Sequence, residues 1–158
     1  MRFLAFLLLV SSCSIFMGGS PVPSAKEQSY TIQFSAPGWQ AEKKDKRTDY
    51  IFQHPDGSIL LSNSFCGEFQ DEPLNRLATK TFKGVSGFSV TKQDWVTFQN
   101  REAYRLEGNG KVDGVPVGLR VLNTRRDNCY FDFISISPIA SGISSDVFDS
   151  FLSSVVFK

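Results

Sequence analysis

Two carboxylates, one histidine and three cysteines are the residues of this chain with chemistry to offer. Asp132 sits in a run, Cys129-Tyr130-Phe131-Asp132-Phe133-Ile134, whose period-two alternation puts it on a face with Tyr130, Ile134 and Ile136. A carboxylate in that company is costly unless a donor such as Arg120 or a hydroxyl reaches it. The alternative is a position at a groove opening, with a raised pKa as its signature. Glu102 shares the more apolar face of residues 101–107 with Tyr104 and Leu106, and alternates with Arg101, Arg105 and Glu107. If Asp132 and Glu102 faced one cleft they could serve as acid and base. The structural reading makes Asp132 an ion-paired residue and Glu102 a strand-end residue paired with Arg101 or a lysine.

His54 is the only histidine, so any Ser-His-Asp or Cys-His mechanism must use it. It opens His54-Pro55-Asp56-Gly57, with proline second and glycine fourth, which suits a type I turn. Turn tips are usually solvated, and nothing places Ser62, Ser64 or Cys66 beside it. One histidine and widely spaced cysteines lack the paired ligand spacing of a metal site. The glycines of residues 108–118 precede no helix and no Lys-Ser/Thr, which excludes a phosphate-cradling loop. No cofactor is expected.

The cysteines turn the question to location. Residues 1–14, MRFLAFLLLVSSCS, have one charge at Arg2, an apolar run from Phe3 to Val10, then small residues. The run is well short of the roughly 20 residues of a membrane span, and the order is that of an export signal. Val10-Ser11-Ser12-Cys13 resembles the bacterial lipobox, in which the cysteine sulfur takes a diacylglyceryl group and acyl chains such as palmitate are added. The resemblance implies a signal peptide over 1–12 and lipidation at Cys13. The alternative is an ordinary secreted protein, with Cys13 removed or left free. Ser14 in place of Asp resembles outer-membrane sorting, with the domain facing the periplasm. Several acyl chains, at about 0.8 kcal/mol per buried methylene, would make that membrane anchoring lasting. With Cys13 lipidated, Cys66 and Cys129 remain as a disulfide candidate in an oxidising compartment, the alternative being two buried thiols.

Composition supports one packed domain. The chain has 158 residues, 15 Phe and 2 Trp, with 17 basic against 16 acidic residues. Losing Arg2 with the leader balances the charges, so no net field favours nucleic acid. Residues 42–47, EKKDKR, mix both signs and lack interleaved aromatics, which again argues against nucleic-acid binding and for a solvated connection. Residues 13–28 carry glycines and prolines without a period and read as a tether, leaving 29–158 as a single α+β domain.

Within it, strands are expected over residues 30–34, 50–53 and 58–65. A helix follows over 71–82, capped by Asp71, started by Pro73, ended by Gly84, and burying Leu74, Leu77, Ala78 and Phe82. Strands over 88–98, 101–107, 115–124 and 129–137 have short connections and so should be antiparallel neighbours, with residues 108–110 among the connecting ones. A last helix over 146–156, capped by Ser144 or Ser145, turns Val147, Phe148, Phe151, Leu152 and Val155 inward. The fold class is an antiparallel sheet of about six to seven strands covered by two helices.

That order of elements resembles a known family. Ala36-Pro37-Gly38-Trp39, residues 54–61, 101–114 and 129–136, and Phe148-Asp149-Ser150-Phe151-Leu152-Ser153-Ser154 resemble the Mog1/PsbP-like domain. Its members include a photosystem extrinsic subunit, a nuclear-transport factor and bacterial envelope lipoproteins. The resemblance implies an α/β/α sandwich and a non-enzymatic accessory role beside a larger assembly. It supplies no catalytic residue, and the Cys66 and Cys129 pair is not part of its common pattern. The leading expectation is a lipid-anchored binding or assembly protein of the cell envelope with a protein partner. The alternatives are a small envelope enzyme using Asp132 and Glu102, or a carrier of a small apolar ligand.

Overall fold

Alternation of apolar and polar side chains with a period of two builds most of the molecule. The computed structural model describes residues 30–42, 48–69, 71–141 and 145–158. The leader, Cys13 and the tether lie outside these, as do residues 43–47 of the mixed-charge run and Ser144, one of the two expected caps. In chain order the elements are β1 (Tyr30–Ile32), β2 (Gln40–Ala41), β3 (Tyr50–Gln53), β4 (Ile59–Cys66), α1 (Leu74–Thr81), β5 (Ser86–Phe98), β6 (Arg101–Val112), β7 (Val115–Arg126), β8 (Cys129–Pro138), α2 (Ser145–Ser153) and β9 (Val155–Phe157).

The described strands form a seven-stranded antiparallel sheet, ordered β2-β3-β4-β8-β7-β6-β5, and a separate two-stranded sheet, β1-β9. Antiparallel order follows from the turns. Three consecutive hairpins use two-residue loops with positive φ at both positions: Gln99-Asn100, Asp113-Gly114 and Asp127-Asn128. That backbone twist matches the twist of the strands it joins, whereas ordinary type I turns would splay them.

Four expectations are corrected. Residues 108–110 are not a connection; β6 runs through them, pairing Gly108 with Leu119 and Gly110 with Val117. Their glycines are needed because β5 crosses them closely. A Cβ on Gly108 would lie 2.5 Å from both the Phe88 ring and the Ser89 carbonyl oxygen, where β5 makes its register shifts. Asp71 does not cap α1, which starts after Pro73 without a side-chain cap; the carbonyl of Pro73 accepts from the amides of Arg76 and Leu77. The last helix stops at Ser153, and Val155 to Phe157 form β9 instead. Two β-branched valines and a phenylalanine lose rotamer freedom in a helix and fit a pleated ladder. Their partner is the opening strand, which therefore leaves the large sheet to pair with β9, Tyr30 to Phe157 and Ile32 to Val155.

The sheet has a core on each face. Phe131 and Phe133 of β8 join Tyr30, Leu60, Phe148, Phe151 and Val155, so β1, β9 and α2 cover one face. Tyr130 and Ile134 join Leu74, Leu77, Ala78 and Phe82, so α1 covers the other. The inward stripe expected for α1 is the one observed. Arg105 of β6 pins α2: it lies 2.6 Å from Asp149 and 2.8 Å from Glu107, which also meets Arg120 at 3.3 Å, and its guanidinium stands over the Phe148 ring. Although partial burial opposes it, the hydrogen bond to Asp149 and the charge of Glu107 raise the Arg105 pKa.

Gly108→Ala should destabilise the domain by about 1–3 kcal/mol, the usual range for overpacking. Chemical denaturation measures it, and an unchanged midpoint would mean that β5 can move aside freely.

Candidate functional site

Register brings five chemistry-bearing side chains into one row across the α1 face. Asn63 of β4 pairs with Asp132 of β8, Asp132 with Asn123 of β7, Asn123 with Tyr104 of β6, and Tyr104 with Trp95 of β5. The row is dry at its centre and wet at β5: Asn63 is half-buried, Asp132 is 7% exposed, Asn123 is fully buried, and Trp95 is 52% exposed. At the dry centre Asp132 Oδ1 accepts from the Asn63 amide at 3.1 Å, and Asn123 Nδ2 donates to the Tyr130 hydroxyl. Burial, with the Asp132 charge added, pushes the Tyr130 phenol well above its usual range, so it stays a neutral hydroxyl. At the wet end the Tyr104 hydroxyl donates to Gln93 at 3.0 Å, and the Trp95 and Tyr104 rings meet edge to face at 4.9 Å.

Asp132 thus lies where alternation puts it, but its expected donor does not reach it. Arg120 occurs on the α2 face beside Leu122 and meets Glu107 instead. Glu102 also falls on its expected face, at the exposed end of β6. It helps line an open depression of about 320 Å³ with Trp95, Val96, Thr97, Asn100 and Arg101. Asp132 does not line it. Two strand spacings and two residues separate the carboxylates, roughly 12 Å from sheet geometry, with one buried and the other in solvent. The arrangement does not bring them into one cleft. Arg101, an expected partner of Glu102, instead lies 4.0 Å from Asp127.

Cys66 and Cys129 are joined. They are directly opposed where β4 and β8 begin to separate, and their sulfurs are bonded across a sequence separation of 63. In the chain-entropy account a bridge of that span stabilises by about 4 kcal/mol.

His54 is less exposed than a turn tip suggests. The His54–Gly57 turn forms, with the Gly57 amide donating to the His54 carbonyl at 2.9 Å, but the imidazole folds back over Trp39 at 5.4 Å. It comes so near Gly38 that a Cβ there would sit 2.4 Å from Nε2. Gly38 also has φ of 81°, so the Pro37-Gly38 break does two jobs. His54 Nδ1 is 2.9 Å from Asp56, whose other contact is the Ser58 amide at 2.8 Å. Partial desolvation works the other way, yet the Ser58 amide and His54 together lower the Asp56 carboxyl below its ordinary value. The group has a turn-fixing arrangement.

Sequence reasoning missed a second buried carboxylate. Asp49 is 5% exposed and accepts from the Ser64 hydroxyl at 2.6 Å and the Tyr30 hydroxyl at 3.1 Å, while Tyr30 also meets Ser62 at 2.8 Å. Burial, and then the neighbouring Asp49 charge, raise the Tyr30 phenol far above its usual range despite the Ser62 bond. The one available signal was Tyr30 itself, an aromatic that needs a hydroxyl partner when it opens a buried strand.

No family model matches the chain, and no curated protein matches it. Solved structures do. LpqN of Mycobacterium tuberculosis, involved in cell envelope biogenesis, superposes with a TM-score of 0.63 at 10% identity, over 89% of this chain and 87% of LpqN. The cyanobacterial PsbP (CyanoP) of Synechocystis sp. PCC 6803 gives 0.61 at 14% identity, over 89% of this chain and 96% of that one. A Bacteroides thetaiotaomicron VPI-5482 structure gives 0.56 at 12% identity, over 82% of this chain and 45% of that one. The likeness shows a PsbP/Mog1-like fold.

Two outcomes follow from the geometry. Asp132→Ala should cost about 1–3 kcal/mol by removing the acceptor of the Asn63 amide, and Asp132→Asn, which keeps an acceptor, should cost less; equal losses in urea titration would sink this account of Asp132. A lowered Asp56 pKa means stability that is present above the unfolded value and is lost as pH falls through the folded one. The deficit of Asp56→Asn, at most about 1 kcal/mol, should therefore vanish on acidification, checked by unfolding free energies at successive pH values.

Proposed function

We propose that the chain is a lipid-anchored, non-catalytic binding or assembly accessory protein of the bacterial cell envelope, held by acyl chains on Cys13 and contacting a protein partner there. The observation that carries the location is the Cys66–Cys129 bridge, since such bonds form and persist in oxidising compartments. The export signal and the lipobox resemblance of residues 10–13 agree with it, and Ser14 favours the outer membrane. LpqN, with its part in cell envelope biogenesis, supports an envelope setting by analogy of fold. The accessory role is supported by what the chemistry-bearing residues are engaged in. Asp132 binds a backbone amide of the sheet, Glu102 stands some distance away in solvent, and His54 fixes a turn. We also infer that the layers are the α/β/α sandwich implied by the family resemblance.

Intact-mass analysis of protein extracted from membranes tests the reading. The expected mass lacks residues 1–12, gains acyl chains on Cys13, and is lighter by two hydrogens for the bridge. Cys13→Ser should release the protein from the membrane fraction. An unacylated wild-type protein, or a Cys13→Ser variant that stays membrane-bound, would overturn the anchor. Crosslinking in intact membranes should then retain a second envelope protein with the wild type.

A further inference from the structure

The two edges of the large sheet are unlike each other. Among the described residues β2 closes one side with two residues, whereas β5 runs 13 residues along the other and is paired on one side only. Its outward groups can be counted from the Gln99-Asn100 turn. In a two-residue hairpin the flanking pair, here Phe98 and Arg101, exchanges hydrogen bonds, so Phe98, Val96, Asp94 and Lys92 direct N–H and C=O toward β6. Thr97, Trp95 and Gln93 direct theirs away from the sheet.

Such a row is a template for another strand, and charges on it are a common defence. Here the charges are Lys92 and Asp94, on either side of Gln93, with side chains 60% and 48% exposed and paired with each other at 3.6 Å. An apolar strand laid along this edge would take water from that pair and offer no charge in return. A second copy running antiparallel brings each of the two a further partner of opposite sign. With Gln93 on a two-fold axis, Lys92 falls opposite Asp94 of the copy and Asp94 opposite its Lys92, at positions where cross-strand side chains are closest. On the other face, exposed Trp95 falls opposite Thr91 of the copy. The register shift between Val90 and Lys92 ends the regular ladder on that side and limits the pairing to about residues 91–95.

We propose that the β5 edge is a homodimer interface, in which two chains join their sheets through antiparallel β5 strands centred on Gln93. This assignment is independent of the membrane anchor. The short contact gives an interface below the usual size, so the dimer depends on concentration.

Sedimentation of the purified full chain over a concentration series tests it. Wild type should pass from monomer to dimer. Lys92→Asp and Asp94→Lys, which set like charges against each other twice, should each weaken association by about tenfold or more. The double exchange Lys92→Asp/Asp94→Lys restores both opposite pairs and should restore the dimer. Gln93→Pro removes an outward N–H that the β6 ladder does not use and should abolish association, whereas Gln93→Ala, which loses the same Tyr104 hydrogen bond but keeps that N–H, should still dimerise. A wild type that stays monomeric, a double exchange that fails to recover, or a Gln93→Pro dimer would overturn the proposal. The first of these would leave the edge to a strand of another protein.

Discussion

A strand with no solvent-facing side governs this molecule. β8 is flanked by β4 and β7, so its backbone is hydrogen-bonded along both edges, and its first seven side chains are all buried. Apolar material must therefore be supplied to both of its faces from elsewhere in the chain. α1 supplies one face. The other receives α2 together with the β1-β9 pair, which brings both ends of the described domain to the same place. The aromatic wealth of the sequence is spent there: Tyr30 packs against Tyr50, Phe131, Phe133 and Phe157 with ring centroids between 5.3 and 6.0 Å apart. Cys129 opens β8 and is bonded to Cys66, so the strand that is hardest to solvate is also covalently tied to its neighbour.

That dryness decides what the polar residues can do. A carboxylate beside β8 cannot be left to water, and each one observed is held by donors from other strands: Asp132 by the Asn63 amide, Asp49 by the hydroxyls of Tyr30 and Ser64. The same low dielectric raises the phenols of Tyr30 and Tyr130, keeping them as neutral partners in these networks. A residue that looks anomalous in sequence because it is polar among aromatics is thus more firmly committed to structure than its surface counterparts.

How much of this was legible follows from how local each cause is. The strands β3 to β8, the buried stripe of α1 and the face occupied by Asp132 and Glu102 depend on period alone and could be read. So could the Cys66–Cys129 pair, once the lipobox resemblance sets Cys13 apart. Long-range choices could not. β9 continues the inward placement of Val155 that a helix would also give, and only pairing with Tyr30–Ile32, at the far end of the domain, decides for a strand. Gly108 resembles turn chemistry, yet its reason is the Phe88 ring lying over it from another strand. Arg120 was a plausible donor for Asp132 by composition, but strand parity sends it to the opposite face. Asp49 gave no periodic signal, because its partners come from β1 and β4. His54 looked solvated as a turn residue, and Trp39, brought in from the preceding segment, covers it.

The same constraint bears on where recognition can occur. The buried carboxylates near β8 are engaged by donors of the sheet, and both faces of its centre are covered. Among the described residues, what the fold leaves open lies toward β5, where the row through Asp132 ends on Trp95 and where Glu102 reaches solvent. Along this row the energetic worth of a contact changes sign in meaning. At the buried centre a lost hydrogen bond weakens the fold. At the exposed end an indole that is half in water has apolar area still to bury, and covering it favours association. Among the described residues the centre of the sheet is sealed in this way, so the surface the domain has left to offer a contact lies at its margins.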